Sequence, residues 1–372
     1  MDLERLQRDW NDLARKDAMW AMLTGPLGAE RRWDPAAFFK TGTNEIASLL
    51  DRLRAAGAMP ALDRALDFGC GVGRLTQALG GHFARTDGVD ISAVMIEQAR
   101  RLSRRAAACH YHLNTAGDLA LFGDATFDFI YSSITLQHMA PEFSRRYIGE
   151  FFRVARPGGV AVFQIPSHLV HVERPQTRQE GALPAQDCHA TISAAAALRC
   201  APGAVLPLRV MIRNDGTRAW SASGRDGDAQ FAVRLGDHWR GRFGRMRIFD
   251  DLRTGLPFDL APGESMEIGI APTAPGKPGV WNLELDMVQE YVRWFAEAGS
   301  KTARVRVRVD SRLPPGTVEG LPAVMEMHGI PRPEVEALIA ASGGELVAIE
   351  EDDAPGPGWA SYRYIARRAV RP

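Results

Sequence analysis

At 372 residues the chain is longer than one typical domain, so two domains with cores of their own are expected. Lysine plus arginine (45) balances aspartate plus glutamate (45), which removes any chain-wide electrostatic argument for nucleic acid or an anionic membrane as partner. The cysteines, Cys70, Cys109, Cys188 and Cys200, lack CxxC or Cys/His ligand spacing, so no metal site and no disulfide framework is expected; the charged start MDLERLQRDW and the lack of any apolar run of about eighteen residues predict a cytoplasmic chain with no transmembrane segment and no signal peptide.

In chain order, residues 3–15 place Leu3, Leu6, Trp10 and Leu13 at helical spacing, followed by Met19, Trp20, Met22 and a Gly/Pro break. This is an amphipathic cap that needs a surface, either an open ligand crevice or a homodimer contact. A further segment begins at 34–40, and after Thr41-Gly42-Thr43 the spacing of Ile46, Leu49, Leu50 and Leu53 predicts a second helix leading into a strand at 64–68. The stretch ALDFGCGVGRLTQAL (65–79) then reads as strand, glycine turn and helix, the mononucleotide half of a doubly wound sheet. Its glycines are Gly69, Gly71 and Gly73, and Arg74 stands where a pyrophosphate loop G-x-G-x-x-G has its last glycine. Asp67 ahead of them repels phosphates and suits a ligand bearing an ammonium and a sulfonium, which is S-adenosylmethionine. An ordinary strand-turn-helix corner is the alternative.

The second strand, 85–90, ends on Asp90, placed to accept hydrogen bonds from both hydroxyls of a ribose, or else serving only as a helix cap. Ser92 caps a helix with Met95, Ile96 and Ala99, and Ile91 or Met95 can lie on an adenine face. After a third strand at 109–113, a polar residue is positioned to read the adenine amino group, with Asp118 preferred over Asn114. In FDFIYSSITLQHM (127–139) residues 127–131 form the fourth strand, and the remainder of that stretch lies beside the glycine loop at the strands' carboxyl ends. A helix at 142–154, a turn at Pro157-Gly158-Gly159 and a fifth strand at 160–165 complete a strict alternation that predicts a parallel sheet.

In DFGCGVGRL, GVDIS, FDFIYSSITLQHM and FFRVARPGGVAVFQIP, taken in that order, the chain resembles the class I S-adenosylmethionine-dependent methyltransferases. The resemblance implies an α/β, Rossmann-like fold with a seven-stranded mixed sheet, S-adenosylmethionine as cofactor, and cofactor contacts at Asp67, Gly69, Gly71, Asp90, Asp118 and Leu119. Cys70, Gly73, Ile91, Met95 and Ser133 complete the candidate set. The third motif departs from the family, whose Gly-Asp directly follows the strand; here Asn114 stands there and Gly117-Asp118 comes later.

Beyond residue 165 the pattern changes. Residues 167–187 are polar and rich in Pro and Gln like a linker, and segments 206–212, 230–235, 265–270, 281–288 and 303–309 are strand-length between turn signals. They predict an immunoglobulin-like sandwich of about seven strands. Residues 331–341 (PRPEVEALIAA) form a helix, and 345–350 and 361–366 two strands, resembling the terminal elements of the methyltransferase fold. The expected organisation is a helical cap at 1–35, a first catalytic part at 36–170, an inserted all-β sandwich at 188–312 and a closing helix and hairpin at 318–372.

Methyl transfer to a hydroxyl needs a base, and His138 is the candidate, although a histidine there can also simply bond backbone. Gln137 and His328 are candidate substrate contacts. The sandwich, which also resembles modules of bacterial polysaccharide-biosynthesis enzymes, either offers Trp239, Trp294 and Phe295 to a sugar or keeps them as core. The expected reaction is O-methylation of a sugar or glycan precursor, with a small-metabolite acceptor and a non-catalytic cofactor-binding scaffold as alternatives. A nucleotide-dependent oxidoreductase is opposed by Asp67 and Arg74.

Overall fold

The computed structural model describes residues 3–23, 33–170, 181–223, 229–323, 325–356 and 358–370. The Gly/Pro break expected after Met22 and the middle of the linker expected at 167–187 lie outside the described residues. The chain divides into two compact units: residues 1–172 with 323–372, and residues 173–322.

The first unit opens with α1 (Leu3–Met22), kinked at Asp17, whose φ of −163° is extended and whose carboxylate accepts from the amide of Trp20 at 3.0 Å. α2 (Pro35–Ala55) starts at an Asp34 cap and runs unbroken through Thr41-Gly42-Thr43, where the sequence pattern predicts a division. Gly42 is there for close packing: a Cβ would lie 2.5 Å from the carbonyl of Arg74. β1 (Arg64–Phe68), α3 (Arg74–Leu79), β2 (Arg85–Asp90), α4 (Ala93–Leu102), β3 (Cys109–Leu113), β4 (Phe127–Ser132), α5 (Pro141–Val154) and β5 (Ala155–Leu169) continue in α/β alternation, except that β3 passes to β4 through turns instead of the helix that strict alternation expects. The Pro157-Gly158-Gly159 turn lies inside β5 as a register shift against β4.

The strand order β3-β2-β1-β4-β5-β18-β17 makes a seven-stranded sheet whose last two strands, β17 (Gly344–Glu351) and β18 (Trp359–Arg368), come from the other end of the chain and add antiparallel to β5. β1 carries side chains to both faces. Leu66 and Phe68 enter one core with Ile148, Phe151 and the α6 (Arg332–Ala341) residues Val335 and Ile339, while Ala65 enters another with Leu49, Leu53 and Phe129. Burial on both faces is what a parallel sheet's near-continuous apolar strands provide. The order reverses between β1 and β4, so their carboxyl ends open a crevice at the topological switch point.

The second unit is all β: β6 (Ala190–Ser193), β7 (Ala197–Cys200), β8 (Leu208–Asn214), β9 (Val233–Gly241), β10 (Met246–Ile248), β11 (Arg253–Gly255), β12 (Ser265–Ile270), β13 (Gly279–Gln289), β14 (Arg293–Trp294), β15 (Ala303–Val309) and β16 (Val318–Glu319). They form an eight-stranded and a three-stranded sheet around one core containing Val210 and Ile268 from the smaller sheet and Leu235, Leu283 and Val305 from the larger. This is a sandwich with more strands than the alternation predicts, because β10, β11, β14 and β16 span only two or three residues and carry no period. Trp239, Trp294 and Phe295 are buried, which removes them as sugar-stacking faces.

Candidate active site

The crevice at the switch point holds a cavity lined by the glycine loop (Gly69, Cys70, Gly71), by Asp90, Ile91 and Met95 after β2, by Asn114 after β3, and by Ser133, Ile134, Thr135 and His138 after β4. α1 supplies a further wall with Leu3, Leu6, Trp10, Ala21 and Met22.

The loop is stitched to its neighbours by backbone. The amides of Gly69 and Cys70 donate to the carbonyl of Val89 at 2.8 and 3.0 Å, and the amide of Gly71 donates to the Asp90 carboxylate at 2.9 Å. Gly69 has φ +78°, and a Cβ on it would lie 2.2 Å from the Thr135 side chain; Gly71 has φ +50°, and a Cβ would lie 2.3 Å from the Met22 sulfur. Both positions therefore exclude any larger residue. The amide of Val72 donates to that same sulfur at 3.3 Å, so the last turn of α1 rests on the glycine loop.

Asp90 spends its second oxygen on the amide of Ser92 at 2.8 Å, and burial raises its pKa against these two backbone bonds. Ile91 and Met95 border it. Cys70 is a buried thiol on the cavity wall whose pKa is held well above normal by desolvation and the nearby Asp90 and Asp67 carboxylates, which leaves it protonated and unreactive.

His138 ends a single 3₁₀ turn, Leu136–His138, instead of opening α5, and its tautomer is set by its partners. The amide of Ile134 can only donate, so it fixes Gln164 Oε1 as its acceptor at 3.1 Å. Gln164 Nε2 then donates to Gln137 Oε1 at 3.1 Å and to Ser361 Oγ at 2.8 Å, which turns the Gln137 amide nitrogen toward His138 Nε2 at 3.3 Å. The other ring nitrogen, Nδ1, lies 2.8 Å from the carbonyl of Glu326 and must carry the proton. His138 is therefore a neutral imidazole with its Nε2 lone pair held by one weak donor. Burial lowers its pKa, in line with that state. Ile134 itself has φ +53°, a strained conformation for a β-branched residue, in the segment that sets this geometry.

Six of the sequence candidates do not reach the cavity wall. Asp67 is 1% exposed beneath the loop, where it accepts from Thr76 Oγ1 at 2.6 Å and desolvation pushes its pKa up to about 7, so its direct electrostatic role toward a cationic ligand is lost. Gly73 serves packing, since a Cβ would meet the Tyr111 hydroxyl at 2.6 Å. Asp118 is turned out to Arg146 at 2.8 Å, and Leu119 is core, its amide donating to Glu150. Asn114, the less favoured alternative on sequence, lies on the wall, held by the carbonyl of Asp118 at 2.7 Å. The longer third motif explains this: the extra residues carry Asp118 past the cavity and leave Asn114 at the strand tip. Gln137 is buried behind His138, and His328 is tied by its amide to the Gln137 carbonyl at 2.8 Å with its ring beside Glu326. The α1 residues join the wall as the crevice reading of the amphipathic cap expects, while Arg74 joins it without a sequence signal that singles it out. Arg74 is 4% exposed and paired with Glu45 at 2.8 Å, and Glu45 also accepts from the Tyr131 hydroxyl at 2.8 Å.

A model of the methyltransferase domain family matches residues 66–163. The chain is 32% identical over 136 residues to a ubiquinone biosynthesis O-methyltransferase of Thiobacillus denitrificans, covering 36% of this chain and 57% of that protein. It is 29% identical over 153 residues to a malonyl-[acyl-carrier protein] O-methyltransferase of Serratia marcescens, covering 41% and 54%. Among solved structures, an S-adenosylmethionine-dependent methyltransferase from Clostridium acetobutylicum aligns with a TM-score of 0.41 at 12% identity over 89% of this chain and 92% of its own. The chain thus spans little more than half the length of the curated relatives it matches. Residues 66–163 thus carry a methyltransferase domain, and over them the chain is similar to S-adenosylmethionine-dependent methyltransferases, with S-adenosylmethionine as the cofactor.

Proposed function

We propose that the chain transfers a methyl group from S-adenosylmethionine to a hydroxyl oxygen of a small acceptor with an apolar body. The observation that carries this is the neutral His138, lone pair on Nε2, on the wall of the same cavity as the glycine loop and Asp90.

The residues fit the cofactor. Gly69 and Gly71 add no side chain of their own to the loop, against which Thr135 and Met22 pack, Asp90 offers carboxylate oxygens to the ribose hydroxyls, Ile91 and Met95 offer apolar faces to the adenine, and Asn114 offers an amide to its polar edge. When bound, S-adenosylmethionine supplies an electrophilic methyl group. His138 Nε2 takes the proton of the acceptor hydroxyl, and Nδ1, donating to the Glu326 carbonyl, keeps the ring oriented. Trp10, Met139 and the α1 leucines around it exclude water and favour an apolar acceptor body. An acceptor of that kind fits this wall better than a polyhydroxylated sugar, and the burial of Trp239, Trp294 and Phe295 withdraws the aromatic support for a glycan. The curated relatives named above are O-methyltransferases, which agrees with an oxygen acceptor.

Calorimetric titration of the full chain with S-adenosylmethionine, and of the variant Asp90→Ala, tests the site. The variant should lose about 1 kcal/mol or more of binding, roughly fivefold or greater, with its buried hydrogen bonds. Unchanged affinity would remove Asp90 from the cofactor site. Incubation with tritiated cofactor and separate pools of phenolic metabolites and cell-envelope glycans then reads the acceptor class directly, and label confined to the glycans would overturn the apolar acceptor.

A further inference from the structure

In the sandwich unit, residues 240–249 read RGRFGRMRIF, four arginines alternating with large apolar side chains. The segment is the end of β9, a tight tip and β10, closed by the amide of Gly241 donating to the carbonyl of Arg245 at 2.9 Å, with Gly244 at φ +82°. Phe243 stands at the tip and is 94% exposed, the most exposed large apolar side chain among the described residues. Ile248 and Phe249 are exposed along the same hairpin. The guanidinium of Arg242 lies 5.6 Å from the centre of the Phe243 ring, and Arg242, Arg245 and Arg247 have no carboxylate partner among the described residues. The basic character continues on the sheet. Asn282 of β13 is flanked in register by Arg240 on one side and Arg306 on the other, and Arg306 and Arg308 of β15 are exposed and without an ion-pair partner among the described residues.

One exposed phenylalanine alone would need no explanation, but Phe243, Ile248 and Phe249 together form an exposed apolar patch beside three arginines that lack carboxylate partners among the described residues. Together they match a surface that offers anionic groups over an apolar layer. The phenylalanine projects from a hairpin tip, so a flat interface is what it can enter. We infer that the β9–β10 hairpin docks the chain on an anionic lipid bilayer, with Phe243 in the acyl boundary and Arg242, Arg245 and Arg247 among the phosphate headgroups.

The test is co-sedimentation of the full chain with vesicles. Binding is expected to phosphatidylcholine vesicles containing phosphatidylglycerol and not to phosphatidylcholine alone, and it should weaken as salt is raised. Phe243→Ser should weaken binding about tenfold or more, as removal of a buried aromatic requires, and Arg242→Gln about fivefold. Both positions are exposed, so thermal melts should match the parent. A parent that ignores the anionic vesicles, a Phe243→Ser chain that sediments like the parent, or equal binding to soluble heparin with no dependence on Phe243 would each overturn the bilayer.

Discussion

At the level of single residues, the chemistry turns on which state of His138 the surroundings select. Burial is the main force for the neutral ring and the amide donor on Nε2 acts with it, while the carbonyl on Nδ1 fixes the tautomer and pulls the other way without overcoming burial. The pKa is therefore held below 6.5, and a base so placed loses its lone pair only when pH falls below that lowered value. Changing Gln137 to Glu puts an acceptor where the donor was, which stabilises the imidazolium and raises the pKa. The acid limb of the pH–rate profile should then move up by about one unit or more, with cofactor affinity little changed. A limb that stays in place would show that His138 is not the group being titrated. The glycine loop, Asp90 and His138 are legible in the sequence because each sits at the tip of a strand, where the fold dictates position. The partners that set the His138 tautomer are not, because Gln164, Ser361 and the Glu326 carbonyl are brought to it by sheet pairing and by a segment nearly two hundred residues further on. Asp118 misleads for a local reason: two or three extra residues after β3 suffice to turn a side chain from a cavity to Arg146.

At the level of elements, α1 is the piece whose position matters most and whose pattern says least. Its amphipathic spacing shows that it must cover something apolar, but helical periodicity does not name the surface. The structure lays it along the crevice, and its kink at Asp17 aims the last turn at the glycine loop. The Met22 sulfur takes the Val72 amide and sits where a Gly71 Cβ would be. Cofactor entry into that cradle then has to displace a thioether contact. Met22→Ala should raise the association rate for S-adenosylmethionine in stopped-flow fluorescence by a few-fold, since freeing the loop enlarges the binding-competent fraction. An unchanged or slower rate would mean that Met22 packs beside the cofactor. Gly42 gives the converse lesson. A glycine between polar threonines reads as a break, yet here it lets α2 pass the Arg74 carbonyl without interruption.

At the level of the whole chain, a net charge of zero conceals an uneven distribution, and only the folded hairpin shows four arginines and a bare phenylalanine on one edge. The same scale decides how the chain folds. The seven-stranded sheet is complete only when β17 and β18 pair with β5, and α6 and Ile330 close the core beside it. The returning segment is fastened to the end of β5 by the amide of Ile330 on the carbonyl of Pro166 and the amide of Arg332 on Ser167 Oγ, at 2.9 and 3.0 Å. Residues 173–322 meanwhile hold a core built from their own strands and the turns between them. Each unit thus has the buried apolar surface that cooperative folding needs. A chain in which a short Gly/Ser linker replaces residues 173–322 should fold, melt in one transition and bind S-adenosylmethionine within about threefold of the parent, because no residue lining the cavity is removed. The complementary truncation, ending the chain after Val172, should leave β5 as an exposed edge beside an uncovered core and should aggregate. If the truncated chain instead bound cofactor like the parent, the closing helix and hairpin would be dispensable for the cofactor site.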